Sequence, residues 1–240
     1  MKKFPILEVF GPTIQGEGMV IGQKTMFVRT AGCDYACDWC DSAFTWDGSG
    51  KDDIRLMDAE EIWGELKKIG GDQFSHVTIS GGNPALIPHM SELLSIFRAN
   101  GVTTALETQG SRWQDWFVEI DEMTISPKPP SSKMTVDRER LDEIVTNLQT
   151  QNVNTSLKVV IFDETDLAFA TEIHQRYPKI PFFLQAGNPY VYEANDDKLI
   201  NELLNRYQWL IDQVMESSSL NNVRVLPQLH TYVWGNKRGV

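Results

Sequence analysis

The stretch HVTISGGNPALIPHMSELLSIFRANGVTTALE, residues 76–107, reads as one strand–helix–strand unit. His76 to Ser80 is a short β-branched run and predicts a strand; Pro84 to Asn100 has helical periodicity closed by Gly101, and Val102 to Glu107 predicts the next strand. Two strands joined through a helix make a right-handed crossover and lie parallel. The pattern recurs downstream in the strand Glu122 to Ser126, the helix Asp137 to Gln149 and the strand Leu157 to Phe162. It continues through the helix Thr165 to Arg176, with Asp163 or Glu164 near its start, then Pro181 to Gln185, a helix from Asp196 to Glu216, and Val223 to Leu226. Upstream, Ile6 to Phe10 and Thr25 to Thr30 predict strands, and Asp58 caps a helix that reaches Ile69. The count is about six units, fewer than the eight that close a (β/α)8 barrel. The expected fold is therefore α/β, an open, partial (β/α)6 barrel with mainly parallel strands.

In such sheets ligands gather outside the carboxyl ends of the strands. Arg29 and Cys33 follow one predicted strand, Ser80-Gly81-Gly82 another, and Glu107-Thr108-Gln109 a third. Ser126-Pro127-Lys128, Gln185-Ala186-Gly187-Asn188 and Gln228-Leu229-His230 hold the same position after later strands. This convergence predicts a single site at one end of the sheet.

Cys33, Cys37 and Cys40 are the only cysteines and share the segment AGCDYACDWCD, residues 31–41. Three thiolates in one loop hold three corners of an iron–sulfur cube and leave the fourth iron without a protein ligand, whereas ferredoxin-type ligation uses four. A small molecule can bind at that open iron. A structural zinc site would need a fourth ligand from His76, His89, His174 or His230, none at zinc-finger spacing. A redox pair formed by Cys37 and Cys40 alone leaves Cys33 unexplained.

With 240 residues and 41% hydrophobic content, the chain is long enough for one large core and reads as a single domain spanning residues 1–240. No apolar run approaches membrane-spanning length, and the first residues lack the apolar stretch of a signal peptide. With the odd cysteine count, this points to the cytoplasm. A net charge of -11 opposes direct contact with nucleic acid and reads as a solvated acidic surface.

The spacing C-x3-C-x2-C, with Trp39 just before the last cysteine, resembles the signature of the radical S-adenosylmethionine (SAM) superfamily. Thr13-Ile14-Gln15-Gly16-Glu17-Gly18, Cys40-Asp41-Ser42, Arg29 and Leu226-Pro227-Gln228-Leu229-His230 narrow the resemblance to the 7-carboxy-7-deazaguanine synthase family, over a span from about Ile6 to His230. The resemblance implies a radical SAM-type partial barrel and a lyase that converts 6-carboxy-5,6,7,8-tetrahydropterin to 7-carboxy-7-deazaguanine. Ammonia is released, and the product feeds queuosine, a 7-deazapurine of modified tRNA. The implied cofactors are a 4Fe-4S cluster on Cys33, Cys37 and Cys40, SAM on the open iron, and Mg2+ on Ser42, where threonine is the usual occupant.

For SAM the resemblance implies Trp39 as a flat face for adenine, with Cys40 and Asp41 beside it and Gly82 receiving the amino group. Gly82 belongs to Ser80-Gly81-Gly82-Asn83-Pro84, which matches a Gly-Gly-Glu-Pro segment with Asn83 in place of the acid. Ser126, Lys128, Gln185, Ala186, Gly187 and Asn188 complete that candidate site. For substrate the candidates are Ile14, Gln15, Gly16, Glu17 and Ser80, with Arg29 forming a two-point bond to the carboxylate. Glu107 and His230 are the candidate acid–base partners. Plainer readings stand beside these. Arg29 can pair with Glu8 or Glu17, Gln15 to Gly18 can be a hairpin turn, and Asp34, Asp38 and Asp41 can face solvent or bond loop amides.

The expected partners are the pterin, an electron donor such as flavodoxin or ferredoxin, and a second copy of the chain in a homodimer. Within the cluster loop, about residues 31–53, the polar stretch Thr45 to Asp53 either covers the cluster or stays mobile. A rival reading, an activase for a glycyl-radical protein, would leave Thr13 to Gly18 without a purpose. A non-catalytic zinc-binding domain is the other alternative.

Overall fold

The computed structural model describes residues 2–240. Nine strands form one sheet in the order β3-β1-β2-β4-β5-β6-β7-β8-β9. β1 (Phe4–Ile14) pairs antiparallel with β2 (Lys24–Thr30) and with the short edge strand β3 (Arg55–Met57). From β2 onward every pairing is parallel, through β4 (His76–Gly81), β5 (Thr103–Thr108), β6 (Glu122–Ile125), β7 (Thr155–Ile161), β8 (Phe182–Ala186) and β9 (Val223–Leu226). β3 and β9 are the two edges of this linear order, so the sheet is an open, mainly parallel one, as the sequence predicts.

The helices α1 (Ala59–Gly70), α2 (Ser91–Ala99), α3 (Arg138–Thr150), α4 (Glu164–Arg176) and α5 (Asp196–Met215) cover the outer face, and α6 (Leu229–Trp234) follows β9. α1 starts where expected because Asp58 accepts from the Glu61 backbone while the Glu61 side chain accepts from the Asp58 backbone, a reciprocal cap. α3 buries Leu141, Ile144, Val145 and Leu148, one apolar stripe at helical spacing.

Strand periodicity separates two environments. In β7, Leu157, Val159 and Ile161 join the core beneath the helices, while Lys158 lies on the opposite face and meets Glu17 and Glu107. β8 repeats the division, with Phe182, Leu184 and Ala186 in the core and Gln185 between them. One face of the sheet is thus an ordinary core, and the other carries polar side chains at the buried centre of the molecule.

Two expectations are corrected. The helix expected from Pro84 to Asn100 is a 3-10 turn at Pro84–Leu86 followed by α2 from Ser91. Pro88 lacks an N–H and forces Ile87 into an extended conformation, φ -101 and ψ 107, which breaks the helix between them. β1 runs on to Ile14, where it pairs with Lys24 of β2. Between β5 and β6 the crossover is only the 3-10 turn Asp115–Glu119, whose buried Trp116 and Phe117 fill the space a helix would take.

α3 and α4 are tied by Asp142, which accepts from the Arg176 guanidinium through both oxygens and from the Tyr177 hydroxyl at 2.7 Å. The Arg176 hydrogen bond, against partial burial and with help from Tyr177, holds the Asp142 carboxyl down at about 2. A depressed folded-state pKa adds stability that is present above the unfolded value and lost as pH falls through the folded one. Asp142→Asn is expected to lower the urea midpoint at pH 6, with the gap to the unsubstituted protein closing between about pH 4 and pH 2. Urea unfolding at stepped pH measures it.

Candidate active site

A cavity of about 290 Å³ opens at the carboxyl ends of the parallel strands. Its wall joins the three cysteines to the Ile14–Glu17 segment, to the ends of β2, β4, β5 and β7, and to the last residues of the chain. This is the single site that the strand-end residues predict.

Cys33, Cys37 and Cys40 all face the cavity and form no disulfide. Among the described residues, one group of three or more such ligands has all its ligand atoms within 4.8 Å of one another, namely Glu17, Asp41 and His230. The three sulfurs are not such a group. A single tetrahedral zinc with bonds of about 2.3 Å would draw them to roughly 3.8 Å apart, so the donor set fits a larger cluster better. N–H donors surround the sulfurs: Tyr35 N lies 3.4 Å and Gln109 Nε2 3.7 Å from Cys33 Sγ, and Trp46 Nε1 lies 3.5 Å from Cys40 Sγ. Such bonds stabilise sulfur bearing negative charge. Burial raises the Cys33 thiol and pushes Cys37 up to about 11, with Lys128 working the other way at Cys37. Metal entry must therefore displace protons.

The loop is fixed from the sheet side. Asn83 donates to Asp34 Oδ1 at 2.8 Å and to Ser111 Oγ at 3.0 Å, and accepts from Thr108 Oγ1 at 2.7 Å and from Ala85 N. Gln109 Nε2 adds a bond to the same Asp34 oxygen at 2.7 Å. Burial works against charge on Asp34, but the bonds from Asn83, Ser111 and Arg112 hold its carboxyl below the usual range. Asp34 thus bonds chiefly the side chains of Asn83, Gln109 and Arg112, with its own loop amide adding to them, where the expectation was solvent or loop amides. Asn83 stands where the family segment has an acid, and an acid there would face Asp34 with like charge. A Cβ on Gly82 would lie 2.1 Å from Gly32 O and 3.0 Å from Cys33 Cβ, so only glycine lets β4 approach the cluster loop.

Lys158, 1% exposed, lies between two carboxylates: Glu17 Oε2 at 2.5 Å and Glu107 Oε1 at 2.6 Å. Burial opposes its charge, but Glu107 and Glu17 outweigh that and hold the ammonium protonated well above the ordinary lysine range. Burial likewise opposes charge on Glu17, and Lys158, His230 and Gln228 together hold its carboxyl well below the ordinary range. Gln228 Nε2 donates to Glu17 Oε1 at 2.8 Å. A Cβ on Gly16 would lie 2.2 Å from His230 Nδ1, so this glycine brings the N-terminal segment onto α6.

The structure brings together Ile14, Gln15, Gly16, Glu17, Arg29, Trp39, Cys40, Asp41, Ser42, Ser80, Gly82, Glu107, Lys128, Asn188 and His230 on the cavity wall. Ser126, Gln185, Ala186 and Gly187 do not line it. Ser126 lies beneath Lys128, whose Nζ donates to it at 3.2 Å, and the Phe162 ring occupies the space beside Gly187. Ala186 belongs to the outer core, and Gln185 is fully buried below the floor. Arg29 takes its plainer reading, with Nε 2.7 Å from Glu8 Oε1. Glu107 is held by Lys158 instead of standing free. Gln15 also takes a turn role, its backbone exchanging bonds with Gln23 and Gly22, although its side chain stays at the cavity. Trp39 packs one face on Phe162, centroids 4.8 Å apart, and donates to Ser131 Oγ at 2.9 Å. Ser42 Oγ lies 3.7 Å from Cys40 Sγ. Thr45, the first residue of the stretch to Asp53, is tied to the cysteine loop: Gly32 N donates to Thr45 O at 2.8 Å.

Sequence reasoning missed Lys158, Trp46 and the segment from Gly235 to Val240, and gave Gln109 a place at a strand end but no role. A lysine inside the apolar strand TSLKVVI is the one clear signal among them. Ser80 Oγ and Gln228 Oε1 are buried at the wall without a hydrogen-bond partner, which suits a ligand with polar edges. Anaerobic reconstitution is expected to load about four irons and four sulfides per chain. Gly82→Ala should load less than about half of that, because its Cβ displaces the loop carrying Cys33. Iron and sulfide assays of the two proteins decide it.

A family model described as the radical SAM superfamily matches residues 27–166. The 7-carboxy-7-deazaguanine synthase of Bacillus cereus is 62% identical over 240 residues, covering all of both chains. Its namesake in Bacillus subtilis is 63% identical over 241 residues, covering 100% of this chain and 99% of the relative. The crystal structure of QueE from Escherichia coli superposes with a TM-score of 0.67 over 95% of each chain at 21% identity, which supports the fold. The cysteine loop, the open sheet and these full-length matches place the chain in the 7-carboxy-7-deazaguanine synthase family of the radical SAM superfamily.

Proposed function

We propose that this chain converts 6-carboxy-5,6,7,8-tetrahydropterin to 7-carboxy-7-deazaguanine with release of ammonia, in the route to queuosine. The observation that carries the reading is one cavity joining three cluster-type cysteines to the Gln15-Gly16-Glu17 segment, in a chain 62% identical end to end to a synthase of that product. The activase rival gives that segment nothing to do.

When bound, the cluster and SAM would supply the one-electron chemistry for reversible hydrogen-atom abstraction from the substrate. The chain's own groups do the rest. Cys33, Cys37 and Cys40 would hold the cluster, and Trp39, backed by Phe162, would offer its other face to adenine. Ser80 and Gln228 present unpaired polar atoms to the ring edges. Glu17 and Glu107, both ion-paired with Lys158, accept hydrogen bonds from the N–H groups of a pterin. His230, beside Glu17, holds or moves a proton at the same edge. Ser42, on the cavity wall next to Asp41, would hold Mg2+ with substrate oxygens. The cavity walls keep water from the reacting atoms.

The reaction needs a one-electron reductant, and flavodoxin or ferredoxin would serve. The described helices include none long and apolar enough to cross a membrane, which agrees with a cytoplasmic enzyme. We take residues 1–240 to act as one domain and the β9 edge to support a homodimer. Reconstituted protein given SAM, reductant and the pterin is expected to form the deazapurine with SAM largely recovered. Absence of the product would overturn the function, and stoichiometric consumption of SAM would overturn the returned hydrogen.

A further inference from the structure

The last residues of the chain bring a second arginine to the place where Arg29 stands. Arg238 Nε donates to Glu8 Oε2 at 2.9 Å, and its guanidinium carbon lies 4.0 Å from the centroid of the Phe44 ring. Arg29 approaches the other oxygen of the same carboxylate and packs against the same ring, its guanidinium carbon 5.5 Å from the centroid. One carboxylate is therefore shared by two guanidinium groups. The further acid near Arg238, Asp53, lies 3.7 Å away and is 62% exposed, so solvent screens it.

The segment that carries Arg238 is anchored. Asn188 Nδ2 donates to Asn236 Oδ1 at 2.9 Å, and Asn236 Nδ2 donates to Tyr190 O at 2.8 Å. Arg29 and Arg238 both line the cavity. Lys158, the fully buried cation there, is matched by Glu17 and Glu107, while Lys128 and Lys237 also reach the wall and the Arg238 side chain is 39% exposed. Arg29 and Arg238 share one carboxylate, so positive charge exceeds negative at that point of the wall, in a chain whose net charge is -11. Such a local reversal of sign concentrates anions at one point.

We propose that Arg238 is a substrate-binding residue that forms, with Arg29, a two-guanidinium clamp for the carboxylate of the pterin. Glu8 is the positioning acid: it holds both forks in place and leaves one positive charge unmatched. The planar donors of arginine suit a carboxylate at two points, and Phe44 restricts both side chains before the ligand arrives. The inference rests on the proposed function, which supplies a substrate bearing a carboxylate. SAM also carries a carboxylate, so the test must separate the two.

The test is equilibrium binding to cluster-loaded protein without reductant, so that no turnover occurs. Arg238→Gln is expected to weaken the 6-carboxypterin about tenfold or more, while the affinity for SAM and for a 6-methyl analogue lacking the carboxylate changes less than about twofold. Arg238→Lys, which keeps the charge but loses the fork, should fall between. Equal losses for the carboxylated pterin and the analogue would overturn the clamp, as would a loss confined to SAM or no loss at all. If the unsubstituted protein makes the deazapurine while Arg238→Gln binds the pterin normally, this inference alone fails. If the unsubstituted protein makes no deazapurine, the function fails and takes the inference with it.

Discussion

A fully buried ammonium between two carboxylates organises the centre of this molecule. Lys158 comes from β7, Glu107 from β5, and Glu17 from the segment after β1. Taking three charges out of water is costly unless each is matched, and the match here links the parallel sheet to the N-terminal segment that roofs it. Gln228 extends the same network from Glu17 toward α6. The cavity exists because strands that would otherwise fill the barrel with apolar side chains present Lys158, Glu107 and Ser80 inward.

The cluster loop is held by a separate device that meets the first at β5. Glu107 turns inward to Lys158, whereas Thr108 and Gln109, the next two residues, hold Asn83 and Asp34. Three consecutive residues at one strand end thus set both the cavity wall and the cysteine loop. Displacement of β5 would disturb both, which places the redox centre and the polar pocket under one geometric control. Asn83 is the clearest departure from the pattern the chain otherwise resembles, and its amide donates to Asp34, where an acid would meet like charge.

Most of the fold was legible because strand and helix periods are strong in long elements. β7 and α3 read directly from their apolar spacing, and the reciprocal cap at Asp58 marked the start of α1. β3 and α6 were not legible: β3 is a three-residue edge strand defined by its pairing with β1, and α6 is a six-residue helix too short to show a period. The cavity was legible at the cysteines and at the strand ends, where chemistry concentrates. Its polar partners were not. Whether Arg29 faces Glu8, or Glu107 faces Lys158, depends on contacts between residues far apart in the sequence. The arginine at position 238 reaches Glu8 only when the fold brings the two ends of the chain together.

The claim that the buried lysine builds the substrate floor, and not merely a stable core, is tested by pairing stability with binding. Lys158→Met leaves Glu17 and Glu107 without their shared ammonium, with only the Gln228 amide still bonded to Glu17, and is expected to cost about 3–5 kcal/mol in urea unfolding. Adding Glu17→Gln and Glu107→Gln removes the orphaned charges and should restore most of that loss. The decisive measurement is the affinity of this triple variant for the pterin, which the account predicts to be weak although the protein is folded and stable. A triple variant that binds the pterin as tightly as the unsubstituted protein would contradict it.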